Sequence, residues 1–157
     1  MDSDLPSAND NALHEGPLGS VLGYRLAKAS VVIDEAFERH VGEVTNLKPV
    51  EFSLLALAHH NVGVGPARLA SAVGISRPRA TQLLDHLAER GLIERLPSTA
   101  DRRGCEVHVT PVADQLIAEG LQRLHAAELA ATRCLSEAES AILIELLERL
   151  ARMAVVD

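Results

Sequence analysis

Apolar residues recur at helical spacing through the first third of the chain, after a polar segment of 15 residues. We interpret residues 1–15 as a flexible tail. The first predicted helix runs from about Leu18 to His40 and carries charged side chains on its other faces. Pro49 then opens a second helix that ends near His60, because proline is favoured in a first helical turn.

Proline, glycine and serine mark two further helices in the middle of the chain. Pro66 opens a short helix over about residues 67–73, and Gly74 ends it as a left-handed cap residue. Ser76 stands where an N-cap is expected, and the next helix runs to about Arg90. Two helices joined by so short a turn predict a helix-turn-helix unit.

The periodicity changes after Gly91. Leu92–Leu96 and Glu106–Thr110 are short β-prone stretches separated by a polar loop, which predicts a β-hairpin. A hairpin that follows a helix-turn-helix is a wing. The middle of the chain is therefore predicted to be a winged helix-turn-helix.

Two more helices are predicted after the hairpin, which makes the fold class mainly α with a small β-hairpin wing. Thr110 and Pro111 begin a long helix that ends near Cys134. Ser136 with Glu139 forms a capping box for a last helix that runs to about Val155. The apolar residues of this helix cover more than one stripe, so a second subunit is the expected cover. They are Ile142, Leu143, Ile144, Leu146, Leu147, Leu150 and Met153.

Length and composition fit one cytoplasmic domain of 157 residues. No apolar run approaches the ~18–20 residues that a membrane span needs. The first 15 residues carry four acidic side chains and no Lys or Arg, unlike a signal peptide. Cys105 and Cys134 do not make a disulfide scaffold, so a reducing cytoplasm is expected and no membrane partner.

The net charge of −7 argues at first against a nucleic-acid partner. The charge is uneven, however: residues 1–65 carry −5, residues 66–110 carry +2 and residues 111–157 carry −4. All seven basic residues of the middle region are arginines, whose planar side chain suits phosphates and base edges. An ordinary solvated surface explains +2 equally well, so the positions of the arginines decide.

Arginines and hydroxyl residues lie where a winged helix meets DNA. The candidates in the recognition helix are Ser76, Arg77, Arg79, Thr81 and Gln82. Arg reads guanine edges, Gln reads adenine, and hydroxyls bond phosphates. The wing tip carries Asp101, Arg102 and Arg103, where the carboxylate can hold one guanidinium in a fixed pose. Arg90 and Arg95 are weaker candidates, because bases at helix ends and strand edges often complement dipoles.

Over about Leu47 to Leu116 the chain resembles the MarR family of bacterial regulators, and the flanking helices match in length and order only. The motifs that carry the resemblance are Leu69-Ala70, Val73-Gly74-Ile75-Ser76, Leu83-Leu84-Asp85-His86-Leu87, Arg90-Gly91-Leu92-Ile93-Glu94-Arg95, Asp101-Arg102-Arg103 and Val109-Thr110-Pro111, with Phe52 before them.

The resemblance implies a homodimer that binds a pseudo-palindromic operator on double-stranded DNA, usually as a repressor. Residues 16–45 and 111–157 would be the interlocking dimerisation parts, and residues 47–110 the DNA-binding region. Residues 76–82 would begin the recognition helix, and Arg103 would enter the minor groove with Asp101 positioning it. Such proteins are often released from DNA by a small phenolic or other aromatic acid.

Two positions depart from the family's pattern. Lys48 stands where a capping hydroxyl is common, which predicts a slightly weaker start of the second helix. Ala113 stands where glycine is usual after the wing, which predicts a different start of the long helix. Neither position is one of the DNA-reading residues.

Four polar residues are candidate anchors for a small organic acid effector. Tyr24 and Arg25 lie on the first helix, and His59 and His60 lie on the second. An Arg or a His can pair with a carboxylate inside an otherwise apolar cleft. The alternatives are an interface aromatic for Tyr24 and a surface base for Arg25.

Other functional classes are less favoured by the residues. His59 and His60 point about 100° apart, and no cluster of Cys and His supplies the three or four ligands of a zinc site, so neither a metal nor a cofactor is expected. The peroxide-sensing branch of the family keeps a cysteine in the first helix, where this chain has none. No catalytic motif is present, so an enzyme is not expected. The alternatives are a winged-helix protein-interaction module without DNA binding, or a redox- or metal-responsive regulator of the same fold.

Overall fold

The computed structural model describes residues 13–98 and 104–153. This part of the chain is mainly helical with one two-stranded hairpin, which confirms the predicted fold class. The elements are α1 (Leu22–Phe37), α2 (Pro49–His60), α3 (Pro66–Ala72), α4 (Arg77–Glu89), β1 (Ile93–Pro97), β2 (Cys105–Val109), α5 (Pro111–Ala131) and α6 (Glu137–Met153).

The first helix is predicted over Leu18–His40, whereas α1 spans Leu22–Phe37 and further helical turns extend to Thr45. A 3-10 turn, Gly16–Ser20, precedes α1, and the extended backbone of Val21 separates the two. At its other end α1 continues through a π-helical turn, Glu38–Gly42, and a last helical turn to Thr45. Asn46 then adopts a left-handed conformation with φ 52°, which ends the helix.

The wing is a short antiparallel hairpin with Arg95 of β1 opposite Val107 of β2. Each strand is displaced by one residue from its predicted range. The second strand ends at Val109 because Thr110 caps α5. A contact that the sequence did not reveal ties the hairpin to the helices: the Val107 N–H donates to the Val64 carbonyl at 3.0 Å.

Local capping explains where three helices begin. The hydroxyls of Ser76 and Thr110 each accept a hydrogen bond at 3.4 Å from the backbone N–H three residues on. Ala113 is fully buried inside the first turn of α5, and the expected difference at the start of this helix stays a prediction. At α6, Glu139 accepts a hydrogen bond at 2.8 Å from the Ser136 N–H, and the bonds from Ser136 lower the pKa of Glu139.

The core lies between the helices of the winged unit, the hairpin and α5. The largest fully buried side chains come from all of these elements. They are Leu54, Leu55, Leu69, Leu84, Leu87, Ile117, Val41 and Val107. Because α4 contributes three leucines and an alanine to this core, its orientation relative to the hairpin is fixed by packing.

The helices α2 and α5 approach each other closely at one glycine. The ring of Phe52 packs edge-to-face on Phe37, with ring centroids 5.7 Å apart. A Cβ atom on Gly120 would lie 2.7 Å from Phe52 Cζ and closer still to Cε2. Only glycine therefore fits this crossing without a shift of the ring or of the helix.

Much of the aliphatic surface of α6 is uncovered within one chain. Its aliphatic side chains are 41–60% exposed, in agreement with the expectation that another surface must cover them. Leu22, Val31 and Val32 of α1 are similarly exposed, at 50–60%. Within the described ranges, no helix is both long and apolar enough to cross a bilayer.

Candidate nucleic-acid interface

The N-terminal half of α4 presents two arginines to solvent. Ser76 caps the helix, and Arg77 and Arg79 lie in its first turn with exposed side chains. Within residues 13–98 and 104–153, no carboxylate or carbonyl pairs with either guanidinium group. The two side chains are therefore available to an external acceptor.

Three sides of α4 have different surroundings. One side carries Ala80, Leu83, Leu84 and Leu87 into the core. A second side faces the wing, and a third side borders an open groove beside the start of α2. The buried side fixes the orientation of the helix, and the positions of the other two sides follow from it.

Arg95 fastens the wing to α4. From β1 its Nη1 lies 2.8 Å from Asp85 Oδ1, and its Nη2 donates to the Thr81 carbonyl at 3.1 Å. Thr81 is exposed, and its hydroxyl donates to the Arg77 carbonyl at 3.1 Å. Arg95 is thus paired within the fold, and its contacts hold the hairpin against α4.

Arg90 also forms hydrogen bonds within the fold. Its Nη1 donates to the Asn46 carbonyl at 2.7 Å and its Nη2 to the Thr45 carbonyl at 2.9 Å. These carbonyls end the helical turns that follow α1, where a cation is favourable. Arg90 therefore joins α4 to the N-terminal helix.

Arg79 and Gln82 border the groove on the third side of α4, together with His86. The groove has a volume of about 470 Å³ and lies between α4, the turns after α1 and the start of α2. Lys48 lines it from the position that precedes α2. The spacing of Arg79, Gln82 and His86 places them on one helical face, and this periodicity is the signal that sequence reasoning passed over.

A buried carboxylate connects this groove to the core. Glu51 is only 5% exposed, and it accepts hydrogen bonds from His86 Nδ1 at 2.7 Å and from the Lys48 N–H at 2.9 Å. Burial alone would raise the pKa of Glu51. The bonds from Lys48 and His86, with the charges of His86 and Arg90, outweigh it and lower the pKa. Glu51 thus binds the N-cap N–H of α2, while the side chain at the N-cap itself makes no capping bond, and the weaker helix start expected from Lys48 stays a prediction.

The wing tip lies outside the described residues. Asp101, Arg102 and Arg103 belong to the segment 99–103 between the described ranges. The two arms are joined just before it, where the Ser98 N–H donates to the Gly104 carbonyl at 2.9 Å. The predicted minor-groove role of Arg103 therefore stays a prediction.

The four candidate effector anchors are divided between separate partners. Tyr24 and Arg25 both bind Glu15, at 3.2 Å and 2.9 Å. Lys28 binds the same carboxylate at 2.5 Å. The hydrogen bond from Lys28 is the main cause that lowers the pKa of Glu15. The same hydrogen bond is the main cause that raises the pKa of Lys28. Glu15, predicted to end a flexible tail, instead holds the segment before α1 against that helix.

The two histidines of α2 have different surroundings. His59 Nδ1 lies 2.9 Å from Asp114 Oδ1, whereas His60 Nδ1 contacts the Ala56 carbonyl of its own helix at 3.0 Å. His59, Asp114 and His108 line a cleft of about 230 Å³ between α2, β2 and α5. Neither Tyr24 nor Arg25 lines this cleft, so the structure does not bring the four candidates together.

Neither cysteine lines the groove or the cleft described above. Cys105 is half-buried and Cys134 is exposed, and both thiols are free. In the part of the chain that the structure describes, no group of three or more His, Cys, Asp or Glu residues is arranged to hold a metal ion.

Comparisons with known proteins agree with this architecture. Residues 47–105 match the family model described as the MarR family. A protein of Thauera aromatica, assigned as the transcriptional regulatory protein for the hcr operon, is 30% identical over 148 residues, which cover 94% of this chain and 89% of that protein.

Two solved structures share the fold. The transcriptional repressor CouR, bound to a 23-mer DNA duplex, matches with a TM-score of 0.80 and 32% identity over 89% of this chain and 99% of the other. The PcaV regulator of Streptomyces coelicolor, in complex with its natural ligand, matches with a TM-score of 0.80 and 17% identity over 91% of this chain and 98% of the other.

Proposed function

Since the chain belongs to the MarR family of transcriptional regulators, we propose that it binds a specific double-stranded operator in the cytoplasm, with α4 as the recognition helix. The observation that carries this proposal is the pair of exposed arginines, Arg77 and Arg79, at the capped start of a helix whose opposite face is locked into the core. The side chains of Ser76, Thr81 and Gln82 on the same half of the helix add hydroxyl and amide groups for the major groove.

Residues 47–110 form the DNA-binding region in this proposal, and the wing completes it. Arg103 inserts into the minor groove beside the recognition helix, and Asp101 fixes its guanidinium, with Arg102 on the phosphates. An Arg103→Ala variant then loses operator affinity at fixed salt, measured by fluorescence anisotropy. Unchanged affinity would refute the wing assignment alone.

The dimer is proposed from the uncovered apolar surface. The aliphatic residues of α6 pack on those of α1 in a second copy, which makes residues 16–45 and 111–157 the dimerisation parts. A two-fold dimer presents two copies of α4, which explains why a pseudo-palindromic operator is expected.

Repression relieved by a small aromatic or phenolic acid is the proposed mode of regulation. The cleft beside His59 offers imidazoles from His59 and His108 and apolar walls from Ala58, Val62 and Val109. A carboxylate ligand replaces Asp114 as the partner of His59 there. Tyr24 and Arg25 are a second pair of anchors, on which a ligand must displace Glu15.

A thermal-shift assay with a panel of aromatic acids tests the ligand. The shift disappears in His59→Ala if the cleft is the site, and in Arg25→Ala if the ligand binds on α1. If no acid of the panel raises the melting temperature or releases DNA, regulation by this class of ligand is wrong.

A gel shift with the DNA upstream of the protein's own gene tests DNA binding. We expect a retarded complex that survives excess unrelated duplex, since specific binding typically exceeds non-specific binding by about 10³ or more. Absence of a complex at low salt, with and without acids from the panel, would instead favour a protein-interaction module.

A further inference from the structure

We propose that Lys48 contacts the operator's phosphate backbone, so that one DNA strand runs along the groove between the start of α2 and the recognition helix. The inference rests on the proposed DNA-binding function and adds a residue from outside α4 and the wing. The geometry that carries it is the shared groove, which Lys48 lines from one side and Arg79 and Gln82 line from the other.

The backbone of Lys48 is held while its side chain is free. Its N–H donates to Glu51 at 2.9 Å, and its extended backbone (φ −80°, ψ 159°) sets the direction in which the chain enters α2. Lys48 is exposed, and within the described ranges no carboxylate pairs with its ammonium group. A cation held on a fixed backbone beside the recognition helix is suited to an external anion.

The charges of the groove favour an anion near α4. Of the two carboxylates that line it, Glu51 is buried and already accepts hydrogen bonds from His86 and the Lys48 N–H. Glu38 belongs to the opposite wall, on the turn that follows α1, and its carboxyl group lies against Gly42. Lys48 and Arg79 therefore supply positive charge from the two sides of the groove.

The anion at this position is a phosphate of the operator. The major groove is about 12 Å wide and is bordered by the two phosphate strands. When Arg79 and Gln82 reach base edges in the major groove, the ammonium group of Lys48 at the start of α2 lies beside one of the two phosphate strands that border that groove. Lys acts there as a point charge, which adds affinity without adding sequence information.

The salt dependence of operator binding tests this contact. In the Lys48→Ser variant the slope of log K against log salt becomes shallower by about 0.9 per protomer, or about 1.8 for a dimer. The ranking of affinities among single-base variants of the operator stays unchanged. Serine also supplies a capping hydroxyl, so α2 keeps its start, and circular dichroism checks that the variant is folded.

Two controls make the result specific. Lys48→Arg retains the charge and keeps the wild-type slope. Arg123→Ala removes another exposed base, which lies on α5 and is paired with Glu119, and also keeps that slope. A Lys48→Ser variant with the wild-type slope, or with an altered base preference and no change in slope, would overturn the assignment. Failure of the wild-type protein to bind any duplex would overturn the proposed function itself.

Discussion

The close crossing of α2 and α5 makes Gly120 a sensitive position. A Gly120→Ala substitution places a methyl group 2.7 Å from Phe52 Cζ, and Phe52 is 2% exposed and already packed on Phe37. The flexible end of a surface side chain would yield at little cost. A buried aromatic ring that is packed on a second ring does not yield so easily, and either the ring or the helix must shift.

Two opposing effects set the size of the change. Overpacking of a core typically costs about 1–3 kcal/mol. Replacing a helical glycine by alanine returns about 0.5–1 kcal/mol. The net prediction for Gly120→Ala is a loss of up to about 2.5 kcal/mol in the free energy of unfolding. For a chain of 157 residues this lowers the melting temperature by up to roughly 10 °C.

Thermal unfolding followed by far-UV circular dichroism measures the effect, at one protomer concentration because a dimer's stability depends on it. Gly23→Ala is the matched control, since Gly23 lies in α1 and a Cβ there would meet nothing within 4 Å. In a Phe52→Leu background, Gly120→Ala costs less, because the atoms it collides with are gone. A Gly120→Ala protein as stable as the Gly23→Ala protein would refute the packing argument.

Three further substitutions test other contacts. Arg95→Ala removes the contacts that hold the wing to α4, and we expect weaker operator binding in anisotropy titrations. The effect on stability is small, because a half-exposed pair such as Arg95–Asp85 contributes only about 0–1 kcal/mol. Unchanged operator affinity would contradict a positioning role for Arg95. Because the pKa of Glu51 lies below its ordinary value of 4.5, the ionised form stabilises the fold above about that pH, and this stabilisation is lost as pH falls through the lowered pKa. Glu51→Gln is therefore less stable at neutral pH and shows a shallower loss in acid melts; parallel pH curves would contradict this. Leu146→Glu puts a charge into the proposed dimer surface and gives monomers in sedimentation velocity, whereas a persistent dimer would move the interface elsewhere.

Local signals made most of the elements predictable. Ser76 and Thr110 cap the helices that they were expected to cap, and Gly74 adopts the left-handed conformation (φ 70°) that ends the short helix. Such signals act within a few residues, so they can be read without the fold. Ala113 is fully buried in the first turn of α5, and its effect on the start of that helix stays a prediction.

Contacts between distant segments were not predictable. Glu51 and His86 lie 35 residues apart in the chain, and no periodicity specifies which acid meets which base. The sequence predicts only a strand-edge base at Arg95, whereas in the fold its guanidinium group pairs with Asp85. The bridge from Val64 to Val107 and the contacts of Glu15 are of the same kind, because they depend on how the elements pack.

The identity of α4 as the recognition helix is tested most directly by Arg79. The measurement is the affinity of the Arg79→Ala protein for the operator, beside Arg123→Ala, by fluorescence anisotropy at one fixed salt concentration. We predict a loss of about tenfold to a hundredfold for Arg79→Ala, with weaker discrimination between operator variants, and near-wild-type affinity for Arg123→Ala. Equal affinities of the two variants would contradict the assignment of α4.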